Sequence, residues 1–592
     1  MQIQPLLDNL GNRKHLPITI FTFLCFLALT YGLDEVPPYH ADENFYVTSS
    51  SNMIETNDYI TPTYHGKKRF AKPILFYWLV AASYKTFGTN LYSARLVSSI
   101  FGTLCIPIVY IIARRLFDHK TATISALLLP GCYLHFQISR WAITDMALNF
   151  FILSTFYFFI RGIQDQSNKA TSYCFAYICM GIGFMIKGPV AIIIPILVIG
   201  CYLLITQNWG ELSKIRFGYG VIILTAIILP WFVTMLIIHG DDFTNHILGA
   251  ELRDRIIHKT PFSLYYLGVV VRYHLPWSFF FIAALAIKFR LALISSLSSP
   301  LKKNYLPLSR KLINSYNSII HNDNHAFLFS TIWILVPLLF FTLFRIEHSR
   351  YMLSVSVPIS MISAHFFSQL IESPSGFKSY TFKVLFYLTL IFYLLIAILA
   401  ITAILLLLPH FKTPIGLMVL FILGLIGPAV LFILYKLKKY FFMIITLSII
   451  QIIFLTAFSS NALAYFNRYP MKLFANQILS DPQSNKHIGL YQLGNNRARI
   501  GVLTALPAIY LNNPKELKLF IKSNEIVYIV MRQSEWKENF LNLPLRVQAV
   551  DSGWKKSKIN KAEIQSFLMS GLAFQLEEYS ENYILLKKIA QK

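Results

Sequence analysis

Charge is what this sequence has least of. Only 14% of its 592 residues are Asp, Glu, Lys or Arg, where a soluble globular chain carries roughly 25%. That is too few to coat a soluble surface. Acidic residues are the scarcer sign, 28 against 53 Lys and Arg, for a net charge of +25. Cysteine is sparse too: Cys25, Cys105, Cys132, Cys174, Cys179 and Cys201 all lie within or against apolar runs and form no CxxC pair. This argues against a disulfide framework and a zinc site. Internal repeats are missing, which weighs against a transporter built from two related halves. The first apolar run, Leu16 to Leu33, follows Arg13 and Lys14 as a signal sequence would, but no small-x-small cleavage site comes after it. It reads as a retained span.

What is abundant is apolar. Hydrophobic residues make up 55%, with 49 Phe and 33 Tyr. They come in uninterrupted runs near 16–33, 91–113, 121–138, 146–162, 173–186, 189–205, 219–238, 264–289, 326–344, 351–370, 384–408, 415–435 and 441–463. Runs of about 20 residues are helical spans; membrane strands are about half as long and alternate. The fold class expected is therefore a polytopic α-helical membrane protein of about 13 transmembrane helices with a C-terminal α/β domain. Placing Arg13 and Lys14 in the cytoplasm puts the basic joints at Arg114-Arg115, Arg161 to Lys169, Lys214 to Arg216, Arg290 to Lys311, Lys378 to Lys383 and Lys436 to Lys439 on the same side. Positive-inside orientation thus explains the net charge better than a nucleic-acid partner does.

An odd span count puts the polar tail on the outer side. The division expected is residues 1–466 as the membrane domain and 467–592 as an outer α/β domain. Strands are expected at His487 to Gln492 and Glu525 to Met531, and a helix at Pro514 to Lys522. A hairpin is expected from Phe574 to Tyr579 and Tyr583 to Lys588, turning at Ser580-Glu581-Asn582. No phosphate-cradling glycine loop appears there. The first outer loop (34–90), the second (239–263) and the tail then share one side, where chemistry is expected.

The first loop holds Tyr39-His-Ala-Asp42-Glu43-Asn-Phe-Tyr46 and then Lys67-Lys68-Arg69-Phe-Ala-Lys72-Pro73-Ile-Leu-Phe-Tyr77-Trp78. Cations here suit a lipid-linked phosphate, and a carboxylate suits orienting or deprotonating a nucleophile. The plainer alternative is a solvated loop touching headgroups, with an aromatic belt. Asp145 stands at the junction of two apolar runs, a costly place unless it faces water or a partner. Lys187 interrupts the apolar stretch from Tyr173 to Ile205, with Gly188-Pro189 directly after it; it either snorkels to the interface or serves a site. The second loop offers Arg253 and Arg255, which would hold a phosphate if the segment is irregular but diverge on a helix. Arg345-Ile-Glu347-His348-Ser-Arg350-Tyr351 places further charged and aromatic residues at an outer helix end.

Together, Asp42-Glu43-Asn-Phe-Tyr46, Lys72-Pro73-Ile-Leu-Phe-Tyr77-Trp78, Thr144-Asp145-Met146, Lys187-Gly188, Pro261 to Tyr266, Leu275-Pro276-Trp277 and Ser349 to Pro358 occur in an order that resembles the bacterial dolichyl-phosphate-mannose-protein mannosyltransferase-like family. Within it the chain looks most like the aminoarabinose lipid A transferases of the GT-C class. The resemblance implies an inverting membrane glycosyltransferase that takes a sugar from a polyprenyl (undecaprenyl) phosphate and delivers it to lipid A or another envelope glycolipid at the periplasmic face of the inner membrane. It implies Asp42 as the catalytic carboxylate, with Asp145 beside it. Lys72, Arg69, Lys187 and Arg253 or Arg255 would bind the donor phosphate, and Glu43, Tyr46, Tyr77, Trp78, His348 and Tyr351 the substrates. No metal ligand is assigned. A divalent metal stays open, because Ala71 stands where those transferases have a Glu before the Lys-Pro segment. Rival readings are transfer to protein hydroxyls within the same family, and a lipid or oligosaccharide transporter, which would need ionisable residues deep in several helices.

Overall fold

The computed structural model describes the chain from Leu16 to Ile589 except residues 37, 39–40, 65, 248, 250–262, 299–324, 345–346, 374, 377–378, 408–414, 464–470, 484–485, 494–495, 505, 507 and 555–579. Every apolar run read from the sequence is helical. Among the described residues nine helices are long and apolar enough to cross a membrane, ten if a bent pair counts as one span. That pair is Tyr265–Arg272 and Trp277–Ser298, bent by 111°. The break falls at Pro276, which has no N–H to continue the helical ladder. Leu16–Thr30 and Val190–Ile205 are shorter apolar helices, and the 121–138 run is interrupted by a 3-10 turn at Leu129–Gly131.

The elements that build the site come early in the chain: α1 (Leu16–Thr30), α2 (Ala41–Thr56), α3 (Leu75–Phe87), α4 (Leu91–Leu116), α5 (His119–Leu128), α6 (Tyr133–Ile138), α7 (Thr144–Gln164), α8 (Lys169–Lys187) and α9 (Val190–Ile205). The first outer loop is thus largely two helices, α2 and α3, joined by a two-residue ladder, β1 (Thr63–Tyr64) with β2 (Lys67–Lys68). Asn90 caps α4 by accepting from the Ser93 N–H at 2.8 Å. The split between α8 and α9 falls at Gly188, whose φ of 94° is one that glycine adopts without strain.

Arg140, buried between α6 and α7, ties the end of α1 into the bundle. Its guanidinium donates to the carbonyls of Leu29 and Tyr31 at 2.8 Å and of Gly32 at 3.0 Å, and to the Ser460 hydroxyl at 3.0 Å. These carbonyls lie at and just past the last turn of α1, where a cation suits the negative end of the helix dipole.

Beyond the membrane helices lies a five-stranded sheet in the order β4-β3-β5-β7-β6. β3 (His487–Tyr491) runs parallel to β4 (Ala508–Leu511) and β5 (Val527–Arg532); β7 (Ser580–Lys588) runs antiparallel to β5 and β6 (Leu545–Trp554). The expected hairpin is corrected here. Ser580-Glu581-Asn582 is not a turn but the first part of β7, which pairs with Trp554, Gly553 and Ser552 of β6; Phe574 to Tyr579 lies outside the described residues. The Pro514–Ser523 helix forms where expected, with Asn513 accepting from the Glu516 N–H and Glu516 accepting from the Asn512 N–H, a reciprocal cap. Lys472 at the base of this region pairs with Asp34 (3.3 Å) and Glu35 (3.2 Å) just before α2, and Val502 packs into the core of the membrane helices.

Candidate active site

Asp42 and Glu43 are neighbours in the first turn of α2, and about 100° of helical rotation sends them to opposite environments. Glu43 is fully buried. Its carboxylate takes a bidentate fork from Arg95 of α4, at 2.6 and 2.8 Å, and also accepts from the Ala142 N–H at 2.9 Å. Arg95 spends its remaining nitrogen on the carbonyls of Leu33 and Val36. The substrate-binding role expected for Glu43 does not suit this place: the side chain is fully buried, and it accepts three hydrogen bonds from within the protein.

Asp42 faces the other way and keeps a third of its side chain exposed. The Arg350 guanidinium pairs with it at 2.6 Å and approaches Asp145 at 3.8 Å. Asp145, in the first turn of α7, is paired with Lys187 at the end of α8. Lys187 is only 9% exposed, so it does not snorkel; it has a carboxylate partner instead. The result is a string of alternating charge, Asp42, Arg350, Asp145, Lys187, from four separate elements. Tyr351 lies beneath it, 4.9 Å from the Lys187 ammonium and 6.0 Å from the Arg350 guanidinium by ring centroid, and stacks on Phe341 at 4.8 Å. The aromatic face adds a cation-binding surface where little water reaches.

A small cleft of about 40 Å³ opens beside this string, room for a water or two. Its lining mixes polar side chains, Asp145, Asn149, Lys187, Arg350, Tyr351 and Ser354, with aliphatic ones, Leu148, Ile152, Val190, Ile194 and Leu353. Asn149 stands one turn beyond Asp145 on α7, buried, with its amide oxygen unpartnered.

The other expected residues sit around this centre rather than in it. Tyr46 is buried, packs edge-on against Phe76 at 5.1 Å and hydrogen-bonds the Thr144 side chain. Burial first, then Tyr77, pushes its phenol well above the usual range, so it stays neutral beside two carboxylates. Tyr77 lies wholly inside, with its ring 5.2 Å from that of Tyr46. Trp78 points away, 40% exposed, and donates to the Tyr59 carbonyl at 2.6 Å. The substrate-binding roles expected for these three are corrected accordingly: Tyr46 and Tyr77 support α2 from within, and Trp78 anchors the loop. Arg69 lies over the Phe45 ring at 3.6 Å, and the half-buried Lys72 donates to the Ala71 carbonyl at 2.8 Å. His348 is exposed, with its ring 5.4 Å from Tyr351. Arg253 and Arg255 lie outside the described residues. Among the described residues no group of three or more His, Cys, Asp or Glu is arranged to hold a metal.

Arg350 is the site residue that the sequence reading missed. Its signal was present, since it precedes Tyr351 at an outer helix end, but nothing in the sequence says that it bridges residues some 200 and 300 positions away. Asn149 gave no signal, because one amide in an apolar run has no spacing to read.

Residues 71–235 match the family described as dolichyl-phosphate-mannose-protein mannosyltransferase. The chain is 26% identical over 354 residues to the undecaprenyl phosphate-alpha-4-amino-4-deoxy-L-arabinose arabinosyl transferase of Pseudomonas aeruginosa, covering 57% of this chain and 58% of that protein. It is 29% identical over 264 residues to an uncharacterized protein of Aquifex aeolicus, covering 44% and 51%. The chain thus spans between half and three-fifths of the length of these relatives. Two crystal structures of ArnT from Cupriavidus metallidurans superimpose over nearly the whole chain. The one bound to undecaprenyl phosphate does so with TM-score 0.70 at 17% identity, covering 98% of this chain and 99% of that one. The apo form gives 0.67 at 17% identity, covering 97% and 98%.

Proposed function

We propose, from the match of residues 71–235 to the dolichyl-phosphate-mannose-protein mannosyltransferase family and the fold shared with ArnT, that the chain is an inverting membrane glycosyltransferase. It takes a sugar from a polyprenyl phosphate carrier and places it on lipid A or a similar envelope glycolipid. The observation that carries the reading is the charge string at the helix ends: Asp42, a third exposed, pairs with Arg350, and Arg350, Asp145 and Lys187 line a small cleft together with aliphatic side chains. Ionisable groups are costly at membrane depth, and four of them meeting at one cleft suit an anionic lipid headgroup.

In this reading the carrier phosphate is the leaving group, and Lys187 and Arg350 stabilise the charge it gains as the glycosyl bond breaks. Asp42 faces the acceptor. An ionised lipid A phosphate needs no base, so Asp42 then orients it; a hydroxyl acceptor gives Asp42 its proton. The membrane is the bacterial inner membrane, with Asp42 and the α/β region from 467 to 592 on the periplasmic side. Mass spectrometry of lipid A from cells with and without the gene tests the assignment, because one mass difference reports both sugar and acceptor. Unaltered lipid A together with lost sugar on protein Ser or Thr would move the acceptor to protein.

A further inference from the structure

We propose that Asn149 is the sugar-reading residue of the donor cleft: its amide oxygen accepts a hydrogen bond from a hydroxyl or amino group of the carrier-linked sugar, while the phosphate stays with Lys187 and Arg350. The inference rests on the donor reading above and deepens it by giving the sugar a place.

Asn149 and Asp145 stand four residues apart on α7, so they share a helix face with about 6 Å of rise between them. Both line the same cleft. Asn149 is only 2% exposed, and its amide nitrogen is spent on the Cys105 sulfur of α4, to which it donates at 3.9 Å. Its oxygen has no partner. A buried acceptor without a donor destabilises a fold, so in the lining of a cleft it marks a place where an incoming group completes the pairing. The chemistry of that group is restricted. An amide oxygen only accepts; an ionised phosphate diester also only accepts, so the two repel, and a polyprenyl chain has nothing to donate. Sugar hydroxyl and amino groups do donate, and one of them is about the size of the water or two that the cleft admits. The sugar is bonded directly to the phosphate, so a phosphate held by Lys187 and Arg350, which line this same cleft, carries the sugar's polar groups toward Asn149. Ser354, buried in the same lining, adds a hydroxyl that can donate or accept. A contact of this kind selects as well as attracts, because a sugar without the donor leaves the oxygen unpaired.

The experiment uses the full-length protein in detergent and reads Kd by native mass spectrometry for undecaprenyl phosphate, bare and carrying 4-amino-4-deoxy-L-arabinose or mannose, the sugars in the names of its relatives and its family. Native protein should bind at least one sugar-bearing carrier more tightly than the bare one. Asn149→Leu keeps much of the shape and leaves no buried acceptor. It should lower that advantage about tenfold, the upper end for one neutral hydrogen bond, with bare carrier bound within twofold of native and the unfolding midpoint at or above native. Equal change for bare and sugar-bearing carriers would place the phosphate or the chain at Asn149 and overturn the proposal. An unchanged preference would leave the oxygen to a water and overturn it too, as would native protein that binds bare carrier but gains nothing from either sugar. Lost stability with the preference intact would make Asn149 a support of α7 instead. If Asn149→Leu does not fold, Asn149→Ala replaces it, with the same loss of preference expected. Native protein that binds none of the three carriers is a separate result; it rejects the donor reading itself and this proposal with it.

Discussion

The neighbouring acids of α2 make opposite demands, and Glu43→Gln is the perturbation that separates them. In the native protein Glu43 accepts two bonds from Arg95 and one from the Ala142 N–H, with Glu43 at 0% and Arg95 at 2% exposure. Gln keeps the shape and one acceptor oxygen, but it points an N–H₂ group at a guanidinium and removes the only negative charge beside it. Breaking a buried pair from one side costs about 3–5 kcal/mol. The Leu33 and Val36 carbonyls still hold Arg95, so the lower end, about 3 kcal/mol, is expected. That is more than a hundredfold in the folded-to-unfolded ratio, since each 1.4 kcal/mol is a factor of ten. Reversible unfolding in mixed micelles, followed by tryptophan fluorescence, measures it. A Glu43→Gln protein within 0.5 kcal/mol of native stability that has lost carrier binding would refute the reasoning and return Glu43 to the substrate.

Other outcomes follow from the same coordinates. Asp42→Asn is expected to abolish sugar transfer while leaving the unfolding midpoint within about 0.5 kcal/mol of native, as for a surface change; normal turnover by that variant would remove Asp42 from the chemistry. Lys187→Met should cost about 3 kcal/mol by stranding Asp145, and Lys187→Met with Asp145→Leu should recover most of it, as read by unfolding of both proteins. Gly424→Ala should destabilise by about 1–3 kcal/mol, because a Cβ there would stand 2.7 Å from the Tyr393 carbonyl oxygen on the facing helix; an unfolding curve unchanged from native would show that the helices part freely. Lys587 first, and then Tyr528, holds the Asp481 carboxyl below the usual carboxylate range. Its contribution is therefore complete above about pH 4, the unfolded value, and disappears as pH falls through the lower folded value. Asp481→Asn should be less stable than native at pH 7 and converge with it as the medium is acidified, as melting curves across that range would show.

The membrane fold was legible because its determinant is local. Each apolar run became a helix, and the breaks at Gly188 and Pro276 fell where a backbone without an N–H or without a Cβ interrupts the ladder. Part of the candidate site could be picked out too, since Asp145 and Lys187 are ionisable groups at breaks in apolar runs and Asp42 stands in the first outer loop in the stretch that carries the family resemblance. What the sequence does not show is which acid of an adjacent pair turns inward, and the rotation of α2 decides that. Arg95 lies within an apolar run and gives no sign of facing Glu43, 52 residues earlier. The expected turn at Ser580 to Asn582 failed for a related reason. Ser580 to Asn582 has the composition of a turn, but the partner strand, Leu545–Trp554, was not identified, and pairing with it extends β7 across those residues.

Glu43 does more than fill a core. Because it is bonded covalently next to Asp42 and accepts from the Ala142 N–H, three residues before Asp145, it fixes the backbone of both carboxylates of the site to one buried anchor. Moving Asp42 along its helix, or Asp145 along the turn into α7, strains the same Arg95 fork. The backbone separation of the two acids is then set by a buried ion pair and not by loop conformation, and adjustment to substrates falls to side chains at the rim. Of these, Arg350 enters from a different part of the chain and, itself largely buried, pairs with the partly exposed Asp42. The two acids are thus bridged by one guanidinium, which reaches Asp42 at 2.6 Å and Asp145 at 3.8 Å. For this arrangement, variants of Glu43 or Arg95 that still fold should lose transfer through a lower kcat, while variants of Arg350 should act first on carrier binding.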